Sequence, residues 1–390
     1  MDRQARALLE RLGVDVNVNT LVGDLPVATQ QMVEIAKALS QNANLIVMDE
    51  PSAILAGDEL ARLFAIIESL VEQNVTIVYI SHRLDEVFAI ADEITVLKDG
   101  VVVGTTPVGA INRPGLVKMM VGRDFAEVFP PRSGEPGAIV LSVENITTDV
   151  LPYPTSLTVC AGEIVGLAGM VGSGRTELAR AIFGADPLKS GTIHIKGQRA
   201  GSSPRRAIDR GLVLVPEDRK AQGLFLGLPI RTNVTIAVLN RLVQRGLIDR
   251  KREAGTVQHA KESLSIMMAS PDQEVQYLSG GNQQKVVLAR WLETSPAVVI
   301  LDEPTRGIDV GAKFEIYHLI RGLTGRGVGV LMISSELPEI LGMSDRILVM
   351  RDRRIAGQFS QDEATEERII ELATAGRALD YASTQAHSET

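Results

Sequence analysis

Short apolar runs rich in β-branched residues alternate along this chain with longer amphipathic stretches. Residues 45–48 and 76–80 have the length and composition of buried strands, and residues 58–72 between them carry apolar side chains at helical spacing. Strands alternating with helices predict a parallel α/β sheet. The pattern returns in the second half, which opens with further strands at 139–143, 156–159 and 164–168, the first two expected to pair antiparallel. No apolar run approaches the roughly 18 residues of a membrane-spanning helix. The first residues place Ala7, Leu8, Leu9 and Leu12 at helical spacing among Arg and Glu and lack the apolar core of a secretory signal, which predicts a cytoplasmic protein.

The two halves are in register. Aligning Leu45-Ile46-Val47-Met48-Asp49-Glu50-Pro51 with Val298-Val299-Ile300-Leu301-Asp302-Glu303-Pro304 sets an offset of 302 − 49 = 253 residues. Without a gap, that offset pairs Leu25 with Leu278, Gln30 with Gln283, Ser81 with Ser334, Glu86 with Glu339, Asp92 with Asp345 and Gly104 with Gly357. A register that holds through turns as well as core elements implies two copies of one domain. Residues 129–137, between the copies, have the Pro, Gly and polar content of a linker. The expected organisation is an incomplete first domain over residues 1–125, a linker over 126–137, a complete second domain over 138–379 and a disordered tail over 380–390.

A chain of 390 residues suffices for two domains with cores of their own. Its net charge of −8 disfavours nucleic acid as the main partner, because phosphate backbones reward clustered Lys and Arg. The single cysteine, Cys160, excludes an internal disulfide and a multi-cysteine metal site, and points to a reducing compartment.

Candidate chemistry is densest after the strand at 164–168. Gly169-Met170-Val171-Gly172-Ser173-Gly174-Arg175-Thr176 leads into helical residues 177–182, the strand, Gly-rich loop and helix layout of a phosphate cradle. The glycines let backbone N–H groups approach phosphate oxygens, the helix N-terminus adds a favourable dipole, and Thr176 is placed to ligate Mg²⁺. Arg175 stands where such loops usually carry Lys, keeping the charge as a planar fork. Taken alone, the octet reads equally well as an ordinary strand-to-helix turn. Downstream, Asp302 ends a buried apolar strand, a costly place for a carboxylate unless a cation such as Mg²⁺ meets it. Glu303 beside it could orient or deprotonate an attacking water. Leu278-Ser279-Gly280-Gly281-Asn282-Gln283-Gln284 sets a hydroxyl and two glycines ahead of a helix predicted over 285–292, a second anion-binding N-terminus. Each segment alone is weak; together, in this order, they are specific.

The combination resembles the ATP-binding cassette (ABC) family over nearly the whole chain. Residues 169–176 are similar to a variant Walker A loop, 278–283 to the signature motif, 298–303 to Walker B, Gly307-Ile308-Asp309 to the D-loop, Glu217 to the Q-loop position, and Ile80-Ser81-His82 to the switch histidine. Two cassettes on one chain, Arg175 in the second Walker A and Ser335 in place of a second switch histidine resemble the duplicated ATPase subunits of bacterial monosaccharide importers of the ribose, galactose and xylose type. The resemblance implies P-loop NTPase-like cassettes, each a mostly parallel sheet flanked by helices with an antiparallel β-subdomain and a helical subdomain. It implies ATP and Mg²⁺ as ligands and hydrolysis coupled to sugar uptake. The partners it implies are transmembrane permease subunits and, indirectly, a periplasmic sugar-binding protein, with the chain peripheral on the inner face of the cell membrane.

In that family each ATP lies between the Walker loops of one cassette and the signature of the other. The first site would use Asp49 for Mg²⁺ and Glu50 and His82 for catalysis, closed by Leu278, Ser279, Gly280, Gly281 and Gln283. Its Walker A loop, by the repeat offset, would fall before Met1, so the first cassette is expected to be incomplete, with another chain as a candidate to complete it. The second site would use Gly169, Gly172, Ser173, Gly174, Arg175 and Thr176 with Glu217, Asp302 and Glu303, closed by Leu25-Pro26-Val27-Ala28-Thr29. Pro26 there lacks the hydroxyl of Ser279, Ser335 replaces the switch histidine and Arg175 replaces Lys. The expectation is a site that holds nucleotide and hydrolyses it slowly.

His82 by itself reads equally as a hydrogen-bonded strand-end residue. Asp85, Glu86, Glu336 and Glu339 read as solvated helix faces, Asp218-Arg219-Lys220 as either a surface turn or a relay to a membrane subunit, and Tyr153 as the nearest aromatic for stacking on adenine. Two rival functions stay open. One is a truncated non-catalytic or regulatory fragment; the other is a soluble twin-cassette protein acting on ribosomes or DNA, against which the short linker and the acidic charge argue.

Overall fold

A computed structural model describes residues 2–14, 16–41, 43–52, 58–81, 83–98, 100–121, 129–132 and 134–375. His82, linker residues 126–128 and 133, and the tail over 380–390 lie outside them. The chain divides into two compact units, Met1–Phe125 and Ala126–Thr390.

The first unit runs α1 (Asp2–Arg11), α2 (Val27–Leu39), β1 (Leu45–Asp49), α3 (Asp58–Glu72), β2 (Thr76–Ile80), α4 (Leu84–Ile90), the antiparallel hairpin of β3 (Glu93–Lys98) and β4 (Val101–Pro107), and α5 (Arg113–Val121). β1 and β2 pair in parallel, Leu45 opposite Thr76 and Asp49 opposite Ile80. Burial alternates along β1, the period of a strand covered on one face only. Leu9, Met32, Ile35, Leu63 and Ile67 from the helices, with Leu12 from the turn after α1, pack with Ile46 and Met48 on the covered face.

The second unit runs β5 (Ile139–Thr147), β6 (Thr155–Cys160), β7 (Ile164–Gly169), α6 (Arg175–Phe183), β8 (Ser190–Ile195), β9 (Gln198–Arg199), α7 (Pro204–Asp209), β10 (Leu212–Val215), α8 (Ile230–Thr235), α9 (Leu239–Leu242), β11 (Val243–Gln244), β12 (Leu247–Ile248) and α10 (Arg250–Ser263). It continues through α11 (Gly280–Leu292), β13 (Val298–Asp302), α12 (Val310–Thr324), β14 (Gly329–Ile333), α13 (Leu337–Met343), β15 (Arg346–Arg351), β16 (Arg354–Ser360) and α14 (Glu366–Thr374). Six strands form one sheet in the order β10-β13-β14-β7-β15-β16, parallel except for the edge strand β16. A separate antiparallel sheet has the order β6-β5-β8-β9 and includes the predicted β5–β6 pair. Leu141, Val143, Leu157 and Val159 from it share a core with Leu178 and Ile182 of α6 and with Ile300 and Leu331 of the main sheet.

β13 is buried at all five positions, as expected of a central parallel strand. β7, first of the main sheet in sequence, lies in its middle between β14 and β15. The loop leaving its C-terminal end therefore emerges beside the end of β14 and one strand from the end of β13, where open parallel sheets gather ligand-binding loops.

Among the described residues, seven α-helices and β-strands of the first unit recur at the offset of 253 with both bounds unchanged: α2 and α11, β1 and β13, β2 and β14, α4 and α13, β3 and β15, β4 and β16, α5 and α14. Strand register recurs with them, Leu45 opposite Thr76 matching Val298 opposite Gly329. One boundary differs from the sequence expectation. α11 starts at Gly280, not at 285, so the two glycines form its first turn directly after Ser279.

Candidate nucleotide site

Gly169 ends β7 with φ 154°, and a Cβ on it would stand 2.5 Å from the Met350 carbonyl oxygen of β15. Only glycine lets the loop leave the sheet so close to its neighbour. Gly174, at φ 103°, closes the loop as the N-cap of α6. Ser173 is buried between them. Its N–H donates to the Met170 carbonyl at 3.0 Å and its carbonyl accepts from the Arg353 N–H at 2.9 Å. The Ser173 hydroxyl has no hydrogen-bond partner.

Asp302, at the end of β13, is only 2% exposed. Burial pushes its carboxyl up to about 6, opposed by a hydrogen bond from the Thr176 hydroxyl. Its Oδ1 has no partner. Buried carboxylate oxygens are normally satisfied, so an orphaned one beside a Gly-rich loop has the character of a cation ligand.

Glu303 follows in a left-handed conformation, φ 48°, pinned by its N–H donating to the Ile333 carbonyl at 2.9 Å. Such backbone is uncommon for a residue with a side chain and concentrates at functional turns. Glu50 repeats it in the first unit, with φ 46° and a 2.9 Å bond to the Ile80 carbonyl; Asp49 and Glu50 are both exposed there. The turn aims Glu303 toward the end of β14, where the Ser335 hydroxyl donates to its Oε2 at 3.0 Å. Burial raises the Glu303 carboxyl above its ordinary value, against the lowering effects of Ser335 and Arg175.

Arg175 turns inward and is 8% exposed. Its Nη1 donates to the Ser334 carbonyl at 2.6 Å and its Nη2 lies 3.8 Å from Glu303 Oε1. Burial lowers its pKa, and the charges of Glu303 and Asp302 oppose that. Arg175, Thr176, Asp302, Glu303 and Ser335 therefore form one constellation at the C-terminal ends of β7, β13 and β14.

The segment around Ser279 packs beside the turn after Glu303. Ser279 caps α11, accepting from the Asn282 side chain at 3.0 Å. A Cβ on Gly280 would meet the Gly307 carbonyl at 2.9 Å, and one on Gly281 the Ala312 Cβ at 2.5 Å. Both glycines thus serve the close approach of α11 to residues 307–308 and to α12. Asp309 caps α12 by accepting from the Ala312 N–H at 2.9 Å. Gln283 is buried after Leu278, its Nε2 donating to the Val275 carbonyl at 3.3 Å. In the first unit Pro26 occupies the corresponding N-cap of α2 without a side-chain bond.

Glu217 pairs with Arg306. Arg219 donates to the carbonyls of Arg306 and Gly307 at 2.6 and 2.7 Å, and residues 219–223 form one π-helical turn capped by Asp218. The segment is therefore tied to the turn that follows Glu303. Tyr153 is half-exposed, with the Arg354 guanidinium stacked 5.4 Å from its ring centroid.

The helix-face reading fails for two of its four residues. Asp85 and Glu336 are exposed, but Glu86 and Glu339 are each 1% exposed and each accepts from three hydroxyls, all of them on Oε2 in Glu86. Their burial was not apparent because part of each donor set, Ser52 for Glu86 and Thr305 and Tyr317 for Glu339, comes from distant elements. A signal did exist, since the Ser-to-Glu spacing of 81 to 86 repeats at 334 to 339.

Comparison with known proteins agrees with this geometry. The model of a family described as ABC transporter matches residues 153–306. The ribose import ATP-binding protein RbsA of Bacillus licheniformis is 48% identical over 378 residues, which cover 97% of this chain and 77% of that protein. The chain belongs to the ATP-binding cassette transporter ATPases. Ribose import ATP-binding protein RbsA 1 of Rubrobacter xylanophilus is 50% identical over 96% of this ATPase and 76% of its own length. Two solved structures share the cassette fold. One is an ATP-binding cassette of an ABC transporter, 22% identical with a TM-score of 0.53, covering 60% of this chain and 98% of that one. The other is CbiO1 of Clostridium perfringens, 19% identical with a TM-score of 0.51, covering 64% and 99%. No helix among the described residues of the ATPase is long and apolar enough to cross a membrane.

Proposed function

We propose that this ATPase is the energy-coupling subunit of a monosaccharide importer, that residues 169–176 hold ATP with Mg²⁺, and that this site turns over slowly. Support for ribose as the sugar comes from the names of its relatives. The observation that carries the nucleotide reading is the orphaned Oδ1 of Asp302, a buried carboxylate that shares the Thr176 hydroxyl at the foot of the glycine loop.

Mg²⁺ fits these residues. Asp302 and Thr176 would hold it through oxygen, and its other ligands would be waters and phosphate, since Mg²⁺ seldom takes an all-protein cage. Among the described residues no cluster of three or more His, Cys, Asp or Glu is built to hold a metal alone. Bound there, the ion would neutralise phosphate charge. The chain itself would supply the N–H groups of the loop and of α6, the unpartnered Ser173 hydroxyl and the Arg175 cation.

Glu303 would be the base for the attacking water. Its Oε2 accepts from Ser335 and its Oε1 faces Arg175, so both oxygens are oriented by neighbouring side chains and an attacking water must compete with them for either one. Slow turnover follows from that engagement. Glu217 would report on the site from the Q-loop position and Asp309 from the D-loop. Leu278, Ser279, Gly280, Gly281 and Gln283 would close over a nucleotide held by another cassette, and Asp49, Glu50 and His82 would serve the Mg²⁺, base and phosphate-sensing roles of the first unit. The exposed face of β1 and β2 would receive the strand and helix that complete that unit, supplied by another polypeptide segment. Permease subunits would be the membrane partners, with a sugar-binding protein acting through them, and the ATPase would lie on the cytoplasmic face.

Calorimetric titration of the purified chain with ATP, with and without Mg²⁺, tests the reading. Mg²⁺-dependent binding that Asp302→Asn removes is expected. Absence of ATP binding in the parent chain would refute it, and turnover equal to that of a complete two-cassette relative would refute the slow site.

A further inference from the structure

Glu339 is buried on α13, away from the phosphate loop, yet it receives four donors. The hydroxyls of Thr305 and Tyr317 donate to Oε1, the latter at 2.6 Å, and that of Ser334 to Oε2 at 2.8 Å, while Lys313 Nζ lies 3.5 Å from Oε1. A carboxylate is acceptor-only when ionised, so three hydroxyls that all donate to it fix every proton in the cluster.

The first unit builds the same cluster from partly different parts. Glu86 accepts from Ser52 at 2.5 Å, Tyr79 at 2.8 Å and Ser81 at 3.0 Å, and pairs with Arg83 at 2.7 Å. Ser52 and Ser81 match Thr305 and Ser334 at the repeat offset, but Tyr79 comes from β2 whereas Tyr317 comes from α12. Three hydroxyls and one cation around a buried glutamate are reached by two routes, which argues that the cluster is required rather than incidental.

The clamped serine explains what is required. Ser334 donates its hydroxyl to Glu339 and accepts on the same oxygen from the Glu336 N–H at 3.0 Å. Ser81 does the same between Glu86 and the Arg83 N–H, also at 3.0 Å. A residue bonded in this way to the N–H two positions on sets the backbone between them. In the second unit that backbone carries both contacts of the constellation: the Ser334 carbonyl holds Arg175 at 2.6 Å, and Ser335 holds Glu303 at 3.0 Å.

We propose that Glu339 is a positioning residue for the phosphate site: by fixing Ser334 it fixes the carbonyl that seats Arg175, and so sets where the loop's cation stands. The proposal rests on the nucleotide reading above, and on the general behaviour of such loops, whose cation reaches the β- and γ-phosphates.

The test titrates ATP and ADP, each with Mg²⁺, into the full chain as parent, Glu339→Gln, Arg175→Ala, the double variant and Glu86→Gln, with folding checked by thermal melting. Glu339→Gln is expected to weaken ATP about tenfold, the loss of one well-placed charged contact, and ADP by less than about threefold. In the Arg175→Ala background it should change neither. Amide exchange at Glu336 should quicken in Glu339→Gln, and Glu86→Gln should leave the ATP-to-ADP ratio at the parent value. Should Glu339→Gln fail to fold, Ser334→Ala cuts the same link while leaving Glu339 its other donors, and must shift the ratio likewise. Equal weakening of both nucleotides, an undiminished effect without Arg175, or the same shift from Glu86→Gln would overturn the relay. A parent chain that binds no ATP would instead overturn the nucleotide reading on which the relay stands.

Discussion

The Ser335 hydroxyl reaches across the ends of two adjacent strands to donate to Glu303 Oε2 at 3.0 Å. With Arg175 facing the other oxygen, both oxygens of Glu303 are engaged by neighbouring side chains. Glu303→Gln keeps the shape and the Ser335 contact but removes the charge. We expect residual phosphate release to fall at least about tenfold, less than the roughly hundredfold or more that an unengaged general base supplies, with ATP affinity little changed. Single-turnover phosphate release read against equilibrium binding checks this; an unchanged release rate would remove Glu303 from the chemistry.

Asp302 gives a pH-dependent stability with a definite sign. Burial lifts its pKa from 3.8 to about 6, so the native state favours the neutral acid. The stability tied to this group is complete below 3.8 and is lost as the pH rises through 6. Without nucleotide, Asp302→Asn should therefore be more stable than the parent by about 3 kcal/mol at pH 8, a gap that closes as the pH falls toward 4. Urea melts of both proteins at the two pH values measure it, and ATP with Mg²⁺ should reverse the order.

Arg290 on α11 holds the helical part of the second unit together. It is buried, its Nε and Nη2 donate to the Asn233 carbonyl and side chain at 2.7 and 2.8 Å, and its Nη1 donates to the Gly223 carbonyl at 2.6 Å. Burial brings its pKa down to about 10. Lysine retains the charge but has one nitrogen on a shorter reach, and Asn233 Oδ1 keeps the Phe225 N–H, so Arg290→Lys should leave one backbone carbonyl without its donor and cost about 2 kcal/mol. A denaturant midpoint within experimental error of the parent would contradict the role.

How much of this was legible in the sequence depends on how local each feature is. The repeat fixes elements to the residue, as α5 and α14 show, because a strand or helix is written in consecutive apolar positions. The glycine loop was legible for the same reason: Gly169 and Gly174 serve positive φ, a property of single residues. Glu339 and Glu86 were misread because their burial depends on hydroxyls as distant in sequence as Thr305 and Ser52. The inward turn of Arg175 was equally hidden, since its acceptor lies 159 residues away on the backbone of Ser334. Helix spacing could not separate a solvated glutamate from a buried one three residues apart at one helix start, as the N-cap Glu336 and the first-turn Glu339 are.

Leu45, Val47, Val78 and Ile80 share one face of the β1–β2 pair, where they are 44% to 60% exposed. Their counterparts at the repeat offset, Val298, Ile300, Leu331 and Ile333, are at most 1% exposed, in a sheet that shares its core with Leu178 and Ile182 of α6. The same pattern of side chains is thus core in one unit and surface in the other. Contiguous exposed apolar surface of this kind drives association. A polypeptide of these 390 residues should bind a hydrophobic dye and self-associate as concentration rises. Val47→Thr with Val78→Thr, placed opposite each other in the register, keeps β-branched residues in both strands while making the face polar. That pair should lower dye fluorescence by about half and delay association while shifting stability by less than about 1 kcal/mol, because neither side chain is packed. Equal dye binding by parent and double variant would show that this face is not the exposed apolar surface, and a large loss of stability would show that it is already covered.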